Sequence, residues 1–306
     1  MTENTARSEE TGHPLSGKAW QAEALARHPG LAGAEALIAS RLIRLHAINP
    51  KLPRLKSTHR KWLLTHSLFA LTSARDPMDP LSGLTASRLI DTVIEIGAAS
   101  RNTATAFLQE MLTYKFLQEV PDVPDRRVRV LDVTDVSVAG MRVWFDAHME
   151  ALDLLDGGAR LATAEAHPQI FRLAQAAATR ALVDNPDWRE PRDSIAGFAW
   201  SDAGGMILHD LITRLPGVVP ENGRYVIGPL AVSALADRYL ISVSNAKRMF
   251  MKAERDGLAG WTEPRRRGAF WMSEALIADY FHWEATKLAA LDRAYRDVVT
   301  ALGLGG

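Results

Sequence analysis

Apolar residues return every three or four positions along most of this chain, the spacing that lets one face of a helix be buried. Leu37, Ile38, Leu42, Ile43 and Leu45 predict a first helix, which Asn49-Pro50 and Leu52-Pro53 stop. A second run over residues 60–74 ends at Asp76-Pro77-Met78-Asp79-Pro80. Thr85 is placed to cap a third helix over 86–96, with Leu89, Ile90, Val93 and Ile94 on its inner face. After the turn Gly97-Ala98-Ala99, Ser100 caps a fourth helix that buries Ala104, Phe107, Leu108, Met111 and Leu112. The period then shortens. Residues 116–120 and 128–133 read as two strands around a turn at 121–125, before the helical period returns from Ser137 and closes at Gly157-Gly158.

The second half repeats this order. Helical stretches near 169–183 and 206–215 lead to 229–239, and Ser242 caps a helix over 243–256. A strand entered at Gly257-Leu258, a turn at 263–268 and a strand at 269–272 follow, and Ser273 opens a long final helix. A single offset lays Ser100 over Ser242, Ala104 over Ala246 and Leu108 over Phe250, and skipping one residue then aligns Leu117 with Leu258. Two consecutive helices followed by a small hairpin make a winged helix-turn-helix. The expected fold is therefore mainly α: two such units, each with a β-hairpin wing, joined by long helices at 137–155 and 273–300 into an internal pseudo-dimer. The expected boundaries are a flexible N-terminal tail at 1–33, a first unit at 34–158 and a second at 159–306.

Composition changes this picture mainly by exclusion. The 306 residues contain 36 basic and 36 acidic side chains, so overall charge does not favour nucleic acid and any such case must be local. The absence of cysteine removes disulfides, thiolate metal sites, cysteine nucleophiles and thiol redox sensing. With no apolar run long enough to span a bilayer and no basic-then-apolar start, a cytoplasmic location without membrane contact is expected.

Local charge does favour DNA. The second helix of a helix-turn-helix enters the major groove with polar side chains near its N-terminus. Ser100, Arg101, Asn102, Thr103, Thr105 and Gln109 supply such a face in the first unit; Ser242, Ser244, Asn245, Lys247, Arg248 and Lys252 do so in the second. The hairpin turns add Arg126, Arg127 and Arg129, and Arg265, Arg266 and Arg267, suited to phosphate or the minor groove. Residues 242–268 hold seven basic against three acidic side chains and residues 100–129 five against four, which makes the second unit the stronger electrostatic anchor.

Both halves resemble the winged helix of the MarR family of bacterial regulators. In the first, Asp125-Arg126-Arg127 and the strand Val128 through Thr134 are similar to that family's Asp-x-Arg wing. In the second, Leu235-Ala236-x-x-Tyr239-Leu240-Ile241-Ser242 resembles its helix-turn-helix, and Glu263-x-Arg265 is a looser wing match. The resemblance implies a sequence-specific regulator of transcription that binds double-stranded DNA as a monomeric pseudo-dimer, with room for a small-molecule effector and scope for further dimerisation. Leu240 stands where the family's turn glycine is usual, and the two recognition helices differ, which favours an operator with unlike half-sites.

The weighed alternative is a winged-helix protein-interaction module that does not bind DNA. The pairs His148-Met149-Glu150, His209-Asp210 and His282-Trp283-Glu284 have neither an i, i+4 histidine spacing nor a third group nearby, so they read as structural or surface residues. Asp202-Ala203-Gly204-Gly205 lacks a phosphate-binding pattern. No enzyme activity, metal or cofactor is expected, and the aromatic residues from Trp144 to Trp283 are assigned to packing.

Overall fold

A computed structural model describes residues 18–48, 58–125 and 127–305. The chain is mainly helical, with two small three-stranded antiparallel sheets. It begins with α1 (Ala22–Ala26), α2 (Leu31–Ile48) and α3 (His59–Ser73). β1 (Leu84–Thr85), α4 (Ala86–Glu95), α5 (Arg101–Thr113), β2 (Leu117–Glu119) and β3 (Val130–Val133) follow, then α6 (Asp135–Asp156). After α7 (Arg160–Ala166), α8 (Gln169–Asp184), α9 (Pro186–Arg189), α10 (Asp193–Ala199) and α11 (Gly204–Ile212), the order of the first sheet recurs. β4 (Arg224–Gly228), α12 (Val232–Arg238), α13 (Val243–Arg255), β5 (Ala259–Glu263) and β6 (Arg267–Ser273) lead into α14 (Glu274–Ala301). Among the described residues, no helix is long and apolar enough to cross a membrane.

The two halves share local chemistry as well as order. The Ser100 hydroxyl accepts from the Thr103 amide at 3.3 Å and that of Ser242 from the Asn245 amide at 3.1 Å, satisfying donors that the first helical turn leaves open. Each expected hairpin gains a third strand. β1 pairs with β3, matching Leu84 to Leu131, and β4 pairs with β6, matching Val226 to Trp271, so both sheets place the last strand in the centre. At two residues β1 is too short for alternation to reveal it.

The turn before each capped helix is left-handed. Gly97 takes φ 67° and Leu240 takes φ 54°, so leucine occupies a conformation that costs a residue with a Cβ about 1–2 kcal/mol.

Burial redraws the expected boundaries. One core joins α2 to α6 with α8 and the second half of α14, from Ala285 to Val299; the other joins α10 to α13 and the second sheet with the first half of α14, from Leu276 to Tyr280. Thus α7, α8 and α9, expected in the second unit, pack in the first, and α14 is common to both. At 28 residues α14 is about 42 Å long, enough to cross two cores.

Residues 18–33, read as flexible tail, are also folded. Leu25 is fully buried, the Trp20 amide donates to Asp292 at 2.8 Å, and its indole N–H reaches Asp156 at 3.1 Å. One turn of helix is too short to show a period, and its partners lie far along the chain.

Candidate nucleic-acid interface and inter-unit cavity

On α5, Arg101, Asn102, Thr103, Thr105 and Gln109 are exposed while Ala104, Phe107 and Leu108 face the core, as the periodicity requires. On α13, Ser244, Lys247, Arg248 and Lys252 are exposed around the buried Ala246, Met249 and Phe250, and Asn245 is half-buried. Ser100 and Ser242 spend their oxygens on the helix caps. The Arg248 guanidinium donates to the Asn245 side-chain oxygen, and Lys252 pairs with Asp256 one turn on.

The two hairpins differ in available charge. In the first, Arg127 pairs with Asp125 at 2.9 Å and Arg129 with Glu119, which neutralises much of it; Arg126 lies outside the described residues. In the second, Arg265 and Arg266 both hold left-handed backbone, φ 58° and 59°, at the tip of the turn. Arg266 folds back onto Glu254 at 2.7 Å and over the Trp261 ring, whereas Arg265 and Arg267 are exposed and form no salt bridge among the described residues. Of the three expected tip arginines, two are thus presented and one braces the hairpin against α13.

A second feature was invisible in the sequence. Where the two cores meet, a cavity of about 110 Å³ is lined mainly by apolar and aromatic groups. Its walls bring together Trp62 of α3, Trp144 of α6, Trp188 of α9 and Trp283 of α14, with His46, His59 and Met206. Trp188 and Trp283 stack at 5.5 Å, and the Trp283 indole donates to the Trp188 carbonyl at 2.8 Å. The Trp188 indole N–H is buried without a hydrogen-bond partner among the described residues. These aromatics do serve packing, but they also enclose space.

One side of the cavity is polar, with Glu284, Lys287 and His209 in its lining and Glu35 of α2 behind them. Lys287 pairs with Glu284. His209 Nδ1 lies 2.7 Å from the Tyr280 hydroxyl, which donates to Glu35 Oε2 at 3.3 Å. Burial, with Glu284 adjacent, raises the Glu35 carboxyl well above the usual range. Burial pushes Glu284 up too, but the Lys287 ammonium, His209 and the hydrogen bonds from Lys287 and Glu35 together outweigh it and hold the carboxyl below its ordinary value. His209 and Glu284 belong to two of the pairs whose spacing along the chain showed no third group, and the group that folding adds is Glu35.

Burial also holds His46 and His59 down at about 4. A lowered folded-state value means the unfolded chain binds more protons, so this stability is complete above the ordinary value of about 6.5 and is lost as pH falls toward 4. Taking the protein from pH 7 to pH 5 is expected to cost about 2 kcal/mol from His59, and less from His46, which water partly screens. Urea unfolding of the wild type and His59→Gln at both pH values measures this. An equal loss in both proteins would exclude His59 as a source.

No family profile, curated protein or solved structure matches the chain.

Proposed function

We propose that this protein is a regulator that binds double-stranded DNA through two winged helix-turn-helix units, a MarR-like pair fused in one polypeptide, with the second unit as the main anchor. The observation carrying this reading is the exposed cationic surface of that unit. Lys247 and Arg248 lie on a capped helix of helix-turn-helix type, and Arg265 and Arg267 lie on the hairpin that follows it. Such a helix offers base-reading side chains to the major groove while the hairpin grips flanking phosphate or minor groove. The first unit, in which Arg127 and Arg129 are paired, contributes mainly polar contacts around Arg101, so the two half-sites are unlike. A small effector in the cavity between the cores would act by changing how the units sit relative to each other.

Selection of bound duplexes from fragmented genomic DNA at two salt concentrations tests the reading, with a Lys247→Ala/Arg265→Ala/Arg267→Ala variant alongside. Enriched sites are expected, with affinity falling steeply as salt rises. The log-log slope should be smaller by about 2–3 in the variant, since each phosphate no longer neutralised by a cation removes about 0.9. The variant should bind at least about tenfold more weakly at the lower salt, consistent with the removal of up to three charge-assisted hydrogen bonds. No enrichment at either salt would overturn the proposal in favour of a protein-interaction module.

A further inference from the structure

Beyond DNA binding, we propose that Glu35, His209 and Glu284 form a site for one divalent transition-metal ion, of which zinc is the type, at the junction of the two units. The three side chains come from α2, α11 and α14, and each offers a ligand atom within 4.8 Å of the other two. One imidazole nitrogen with two carboxylate oxygens is a donor set that suits zinc and its first-row neighbours better than calcium or magnesium, which prefer all-oxygen shells.

The surrounding hydrogen bonds prepare the donors. Because the Tyr280 hydroxyl gives its proton to Glu35 Oε2, its oxygen is left to accept from His209 Nδ1–H. That tautomer puts the free lone pair on Nε2, and a partner on the other ring nitrogen is the usual support of a metal-ligating histidine. Glu35 is fully buried within hydrogen-bond reach of the Glu284 carboxyl, so the two acids share one site, and a cation can bridge them by displacing the proton between them. Lys287 holds Glu284 through one oxygen, as a second-layer partner would, and lies over the Trp144 ring at 5.9 Å.

Donors bound tetrahedrally at about 2.0–2.1 Å stand roughly 3.4 Å apart, so the group must close by about an ångström, within reach of side-chain torsions. Glu284 and His209 also line the cavity, which supplies an entry path and leaves a fourth position facing open space. With one ligand from each core and one from the shared helix, the ion would tie the two units together.

The test uses the full chain, stripped with chelator and titrated with Co²⁺ as a spectroscopic stand-in for zinc. One equivalent is expected to bring up the visible bands of a four- or five-coordinate ion, and Zn²⁺ is expected to displace it and raise Tm. His209→Gln and Glu35→Gln should each weaken binding at least about tenfold, while His167→Ala leaves it unchanged. X-ray absorption of the zinc-loaded wild type, which needs no variant, should show one imidazole among oxygen donors. A wild type without a one-equivalent spectrum, undiminished binding in both site variants, or a shell of two or more imidazoles would each overturn the proposal.

Discussion

Arg160→Met is expected to cost about 3–5 kcal/mol of folding free energy, because it strands a group of carboxylates in the interior. The Arg160 side chain is 1% exposed and is the hub of an ion cluster at the base of the first core. It donates to Asp292 at 2.9 Å, to Asp153 at 3.1 Å and to Asp156 at 2.7 Å. Asp292, also fully buried, accepts from Arg296 and from the Trp20 amide as well, so the cluster staples the N-terminal segment, α6, α7 and the end of α14.

Burial raises Asp156, yet its bonds to Arg160, with those from the Gly158 amide and the Trp20 indole, together outweigh that and lower its carboxyl from the ordinary value. In the wild type this contribution is complete above the unfolded carboxylate value and is lost as pH falls through the lowered one. In Arg160→Met the sign reverses: the orphaned carboxyls move up, and mild acid should recover part of the loss. Urea midpoints at pH 7 and pH 5 read both effects. A loss below about 1 kcal/mol would mean that water or Arg296 replaces Arg160, and that the cluster is not the staple described.

Gly204→Ala is expected to lose about 3 kcal/mol, the upper end of overpacking, through contact with backbone rather than with a movable side chain. A Cβ built at Gly204 falls 1.9 Å from the Phe198 carbonyl oxygen and 2.7 Å from its carbon. Relief requires α11 to move away from α10, and α11 carries Met206 and His209 into the cavity wall. Its neighbour provides the control. A Cβ at Gly205 meets nothing within 4 Å, so Gly205→Ala should be neutral or stabilising by about 0.5 kcal/mol through helix propensity. Equal Tm values for the two variants would show that the close approach at Gly204 is not limiting.

Both sites show how far the sequence could be read. Gly204-Gly205 lacks a phosphate-binding pattern, and its role in the fold is steric, set by a chain crossing that no local pattern encodes. The two capped helices were legible because Ser100 and Ser242 act on amides three residues away and the apolar spacing behind them is undisturbed. The hairpin arginines were legible as charges. Which of them are presented was not, since Arg127 is neutralised two residues away, and Arg266 by Glu254 across the unit.

The polar wall of the cavity left only a faint trace. Glu35 lies on the same helical face as Ile38 and Leu42, and Glu284 and Lys287 share one with Tyr280, Leu288 and Leu291, so each is a charge where the period demands an apolar residue. That anomaly marks burial without naming a partner. His209 reaches Tyr280, and Tyr280 reaches Glu35, only because α2, α11 and α14 converge.

By itself, then, the sequence determined the longer helices, the caps at Thr85, Ser100 and Ser242, the repeated order and the charge of the second hairpin, all of which depend on residues within a few positions of one another. The tertiary structure decided the rest: that α14 belongs to both cores, that residues 18–33 are folded onto the first, and that four tryptophans and a buried Glu–His–Glu group surround one cavity. Those features come from groups brought together from distant parts of the chain, where hydrophobic burial sets the packing and buried polar groups must take whatever partners that packing supplies.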